Sequence, residues 1–197
     1  MTTVNHLFGK AIAVAVLVAL AMAANAATVA TGPIMEFSKA DFADASLAEN
    51  QDRITPLVWL TRGTTAGLFN IAQEEAHQKF QYISPAGTAW AFEGLNGNPD
   101  SGISAEDFDS LNFTDWTSAL GIQQVGNNIV GRPGVVHLID DDIYLDITFT
   151  EWTQGSGGGG MSYLRSSVVP VPAAAWLMAS GLGLLGFLTR RRTVHAK

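Results

Sequence analysis

The chain has 197 residues, 47% hydrophobic and 15% charged, a balance that excludes a disordered or collagen-like polymer and leaves room for one globular domain with accessory segments. All 18 acidic residues lie between Glu36 and Glu151, whereas residues 27–169 carry only Lys39, Arg53, Arg62, Lys79, Arg132 and Arg165 as cations, so the body is anionic and unsuited to nucleic acid or an acidic membrane surface. The absence of cysteine excludes disulfides, thiolate metal sites, cysteine nucleophiles and a lipid-modified N-terminal cysteine.

The first element reads as an export signal. A polar start containing Lys10 precedes an apolar run over 11–24, and Ala24-Asn25-Ala26 forms an A-x-A site, so signal peptidase is expected to remove residues 1–26 and leave Ala27 as the new N-terminus. At about 1.5 Å per residue the run reaches about 21 Å, short of a ~30 Å hydrocarbon layer, which disfavours an uncleaved spanning helix.

Residues 27–168 read as short strands separated by turns. Residues 54–61, 67–73 and 88–93 are rich in β-formers and predict a meander. Residues 113–121 are the exception: Asp115 caps a short helix that ends at Gly121. The clearest strand is 143–152, where Ile143, Leu145, Ile147 and Phe149 alternate with Tyr144, Asp146, Thr148 and Thr150, setting an apolar row toward a core and a polar row away from it. Residues 135–139 precede it as a hairpin partner. Residues 161–166 return beside it after the glycine-rich 155–160, which reads as a flexible connection. The expected fold is all-β: one antiparallel β-sandwich of about seven to nine strands, flanked by a signal peptide and a C-terminal transmembrane helix.

Little in the body has the spacing of chemistry. His77 and His137 are far apart and no G-x-S-x-G elbow is present. Glu74 and Glu75 are chain neighbours and diverge on either a strand or a helix, so solvated charge is their default. The 155–160 loop lacks the G-K-[ST] ending of a phosphate loop. Residues 96–107 place oxygen donors at Asn96, Asn98, Asp100, Ser104 and Asp107, positions 1, 3, 5, 9 and 12 of an EF-hand-type loop, the pattern that suits Ca²⁺. Position 6 is Ser101 rather than glycine, and the same residues also make an ordinary polar loop. Asp140, Asp141, Asp142 and Asp146 form a second acidic cluster, read as a solvated hairpin tip. Trp59, Trp90, Trp116 and Trp152 with Tyr82, Tyr144 and Tyr163 are either a sugar-stacking platform or, for the most part, core.

The last segment, 169–197, consists of Val169-Pro170-Val171-Pro172-Ala173, an apolar helix over 173–189, and a basic tail opened by Arg190, Arg191 and Arg192. About 26 Å of helix followed by cations is a stop-transfer layout that keeps the tail cytoplasmic and the body outside. The glycines at 181, 183 and 186 spell G-x-G-x-x-G, but a dinucleotide site needs a preceding strand and a following βαβ unit, which the remaining eleven residues cannot supply. In its order of parts this segment resembles the PEP-CTERM sorting signals of diderm bacteria, in the variant with V-P-x-P-A for Pro-Glu-Pro. The resemblance implies that an exosortase reads Val169 to Ala173 and processes the chain for release or surface attachment, commonly alongside exopolysaccharide production. The stretches around 49–63, 67–74 and 141–166 are also similar to an exported bacterial domain that recurs on surface proteins, which implies an extracellular module and no particular activity. The expectation is therefore a non-enzymatic, exosortase-sorted surface or matrix protein, with a carbohydrate-binding module and a secreted hydrolase as the alternatives.

Overall fold

The alternation in β8 (Ile143–Trp152) sets the architecture, because a strand with one apolar face must bury that face. Leu145, Ile147 and Phe149 are fully buried and Ile143 packs at the margin of the same core. The computed structural model describes residues 27–78, 83–122 and 124–169, and these contain nine strands and only short helical turns. Ala24, Ala26, Pro170, Val171, Pro172, Ala173, Arg190, Arg191 and Arg192, and with them the signal peptide and C-terminal helix, lie outside the described residues. Among the described residues no helix is long and apolar enough to cross a membrane.

β8 is central in a six-stranded sheet. It pairs with β7 (Pro133–Leu138), which pairs with β6 (Thr88–Phe92), and on its other side with β9 (Met161–Ser166), which pairs with the edge strand β2 (Ile34–Lys39). These pairings are antiparallel. β1 (Thr28–Val29) departs from the expected all-antiparallel order and runs parallel to the start of β8, Thr28 opposite Ile143. It takes the place beside β8 that β9 leaves, held by the Thr28 N–H to Asp142 O and the Ala30 N–H to Tyr144 O. A second sheet holds β3 (Asp52–Arg53), β4 (Trp59–Arg62) and β5 (Leu68–Asn70), all antiparallel. Leu60 and Leu68 of this sheet share one core with Trp90, Leu145, Phe149 and Tyr163 of the other, a sandwich-like, all-β arrangement.

The helix expected after Asp115 forms over Trp116–Ala119 and closes one end of the core with the buried Trp116 and Leu120. Its Asp115 side chain makes no capping bond. The outer face of the large sheet is not the solvated row that the alternation suggests. Ala105 and Leu111, from the connection before the helix, cover Ala91 and Val135 in a second small core against which Tyr144 packs. Asp146 is drawn into the same layer, its Oδ1 accepting the Ala105 N–H at 2.7 Å.

The two sheets are joined by a buried ion pair. Arg165 on β9 donates from Nε and Nη2 to the two carboxylate oxygens of Asp52 on β3, at 2.6 and 2.7 Å, and the Tyr163 hydroxyl donates to Asp52 Oδ2 at 2.8 Å. Burial and the adjacent carboxylate hold the Tyr163 phenol well above its ordinary value of 10.0. The folded state therefore keeps a proton that the unfolded chain loses above that pH, so this contribution to stability is complete below pH 10.0 and declines as pH rises past it. Removing one member of a buried pair strands the other charge, and Asp52→Ala is expected to cost about 3–5 kcal/mol in urea unfolding. Tyr163→Phe removes a single hydroxyl, should cost about 1–2 kcal/mol, and should flatten the alkaline loss of stability in the same measurement.

Candidate functional site

At the other end of β9 two cations are buried. Arg62, the last residue of β4, is 2% exposed, and its guanidinium lies 3.7 Å above the ring of Trp152, the last residue of β8. Nε donates to Ala66 O at 2.8 Å, closing the turn after β4, and Nη1 donates to Gly160 O at 3.1 Å. Lys39, the last residue of β2, is equally buried, and its Nζ donates to Ala40 O. Neither cation has a carboxylate in salt-bridge range among the described residues, whose ion pairs are Asp52–Arg165 and His137–Asp142. Burial accordingly lowers both: Arg62 to about 10, and Lys39 below its usual range with the nearby Arg62 adding to the effect.

Asp41 supplies the nearest compensating charge. Its carboxylate accepts from the Thr153 side chain and from the Gly160 N–H, the latter at 2.7 Å, and these hydrogen bonds hold it below the ordinary carboxylate range. The glycine run is thereby ordered on one side. Residues 155–157 are exposed, but Gly158, Gly159 and Gly160 are buried, which corrects the reading of 155–160 as a flexible connection. The physical reason is backbone against backbone: a Cβ on Gly159 would fall within the van der Waals envelope of Gly63 O, and Gly158 O accepts the Phe42 N–H.

Beside the stacked Arg62 and Trp152 opens a cavity of about 280 Å³, lined also by His77, Trp116, Thr117 and Gln154. His77 stands against Gly67, where any side chain would meet the imidazole, and its Nδ1 donates to Leu68 O at 2.9 Å. Two buried polar atoms among the lining residues, Trp116 Nε1 and Thr117 Oγ1, have no hydrogen-bond partner.

The residues singled out in the sequence are dispersed. Asn96 donates from Nδ2 to Ser118 O and Ala119 O, which ends the short helix. Asn98 bonds both ways to the Asn112 backbone, and the Ser104 hydroxyl accepts the Glu106 N–H. Asp107 lies within the turn Ala105–Ser110 and Asp100 stands beside Gly94. Among the described residues no group of three or more acidic or histidine side chains is placed to hold a metal ion. The hairpin acids take separate partners: Asp141 accepts from the Thr55 hydroxyl at 2.6 Å and Asp142 lies 3.2 Å from His137 Nε2. Glu74 is not merely solvated, since its Oε2 accepts the N–H groups of Asn70 and Ala86. Trp90 and Trp116 are core, while Trp59 and Trp152 are half-buried, each with a guanidinium over its ring. Arg62, Lys39 and Asp41 were not legible as a group, because single charges beside turn residues carry no spacing signal.

Compared with protein-family models, with curated proteins and with solved structures, the chain matches none.

Two outcomes are expected from this geometry. Gly159→Ala should prevent native folding or cost several kcal/mol, about 3 or more, whereas Gly155→Ala, where a Cβ meets nothing, should cost only about 1 kcal/mol for its positive φ. Thermal unfolding of both variants decides this. Because Asp41 is held below its usual 3.8, its contribution is complete above that pH and is lost as pH falls through the lower folded-state value. Asp41→Asn should therefore show a shallower loss of melting temperature between pH 5 and pH 2.

Proposed function

We propose that this chain is an exported surface or matrix protein, delivered by signal peptidase and an exosortase and acting beside exopolysaccharide without catalysing a reaction. The observation that carries the reading is the bracketing of the acidic body by two processing signals: Ala24-Asn25-Ala26 before it and Val169-Pro170-Val171-Pro172-Ala173 with its apolar helix and Arg190, Arg191 and Arg192 after it. The order of those parts distinguishes the second signal from an ordinary anchor. Prolines keep the backbone extended and accessible to a protease, and the arginines resist translocation and hold the helix in the bilayer.

The fold is compatible with suspension from one point. The Gly32 N–H donates to Ser167 O at 2.9 Å, and a Cβ on Gly32 would meet Ser167 and Val169, so the first and last described segments of the body meet at one edge of the large sheet. A domain whose ends leave together can be tethered by its C-terminus without strain on its core.

Intact-mass analysis of the protein from membrane and medium fractions of its native host tests the proposal. The mature species should begin near Ala27 and end between Val169 and Pro172. Replacing Arg190, Arg191 and Arg192 by Gln should release uncut precursor, and Pro172→Ala should retain a heavier species in the membrane. Wild-type protein found only in the inner membrane with residues 173–197 intact would replace this reading with a simple membrane anchor.

A further inference from the structure

We infer that Gly32 and residues 167–169 form a latch at the exit of the body, so that cutting within residues 169–173 waits for this edge of the large sheet to open. The role of the latch in processing rests on the reading of 169–197 as an exosortase signal. The latch itself rests on the packing of the body alone.

The folded body reaches the first residue of that signal without a spacer. Ser166 is buried, pairs with Ile34, and accepts the Asp146 N–H through its Oγ at 3.0 Å. One residue on, Ser167 O accepts the Gly32 N–H at 2.9 Å. Val168 packs against the main core, and Val169 closes over Gly32, where a Cβ would meet both the Val169 side chain and Ser167. Position 32 therefore admits a side chain only if residues 167–169 move away. Val169 also opens the Val169-Pro170-Val171-Pro172-Ala173 run, so no residue separates the packed chain from the sequence to be cut.

A protease takes its substrate as extended chain on both sides of the bond it cuts, and cleavage of a folded protein proceeds through its locally opened forms. A cut close behind Val169 draws residues 167–169 into the enzyme, which requires them to leave Gly32 and the core. The hold is tight but short. Among the described residues one main-chain bond and the contacts of Val168 and Val169 retain the segment, and Pro33, next to Gly32 in the chain, has no N–H to add. Opening so small an edge leaves the central strand β8 in place and is a local event rather than global unfolding. The closed edge thereby shields the exit segment from indiscriminate proteolysis.

The test uses the full chain in detergent micelles with proteinase K. Cuts between Ser167 and Ala173 are located by mass spectrometry and timed against a synthetic peptide of residues 162–175. The wild-type bonds should be cut about tenfold or more slowly than those of the peptide. Gly32→Ala, which adds the intruding Cβ, and Val168→Ser, which removes the apolar contact, should each be cut about threefold or more faster than wild type. Cutting in the exposed 155–157 loop, beyond the opposite end of β9, should not change, which separates opening of the edge from global unfolding. Where its melting curve shows Gly32→Ala to be unfolded, Val168→Ser decides alone. Wild type cut as fast as the peptide, or folded variants cut no faster than wild type, would overturn the latch. Pulse-chase conversion of the precursor in the native host then reads its role. The folded variants should be converted about threefold or more faster, and conversion at the wild-type rate would overturn the latch as a control on sorting. A wild-type chain never converted at its C-terminal end would instead overturn the sorting reading, with the proteinase K result still deciding the latch.

Discussion

The fold depends on the Asp52–Arg165 pair. The second sheet consists of strands of two, four and three residues and brings Leu60 and Leu68 to the shared core. One end of it is tied to the large sheet by a bidentate bridge with the Tyr163 hydroxyl as a third donor, all buried, and the other by Arg62 of β4, which bonds Gly160 and stacks on Trp152. A buried pair need not be worth more than hydrophobic residues of the same volume, because desolvation offsets most of the attraction. What it supplies is registration. The carboxylate on β3 meets its guanidinium only where Tyr163 and Arg165 stand opposite, a directional constraint that the apolar contacts of Leu60 and Leu68 do not impose.

The far end of the sandwich is held differently. There Lys39 and Arg62 are buried without paired carboxylates, and their compensation comes from main-chain oxygens, an indole face and Asp41 at a distance. Backbone takes the place of side chains in the packing, and the close approach of Gly159 to Gly63 is the reason that a glycine run stands at 157–160. One end is therefore satisfied within itself, and the other retains donors that the protein does not use.

The sequence made the large sheet legible where a strand buries one face. β8 and β9 stand where their residues suggest, because alternation and β-branched content report a half-buried surface directly. β2 was invisible for the converse reason: Ile34, Met35 and Glu36 are all exposed, so its pairing is a matter of backbone hydrogen bonds at a sheet edge and leaves no hydrophobic period. β1 and β3 are too short to carry a pattern. The part of 54–61 before Trp59 looked like strand by composition but is a turn, tied by the Thr55 hydroxyl, which accepts the Leu57 and Val58 N–H groups. Of the site, the aromatic and glycine residues were noticed individually, but their assembly around Arg62 depends on contacts across 98 residues of chain, which no local pattern encodes.

The position of the cavity relative to the ends of the body follows from β9 alone. Met161 pairs with Trp152 at the cavity and follows Gly160, which Arg62 binds, while Ser166 pairs with Ile34 and precedes Ser167, where the first and last segments meet. A strand rises about 3.4 Å per residue, so the length of β9 sets these features about 17–20 Å apart, at opposite ends of the same strand. A body tethered through Val169 would therefore hold the Arg62 cavity away from its attachment point.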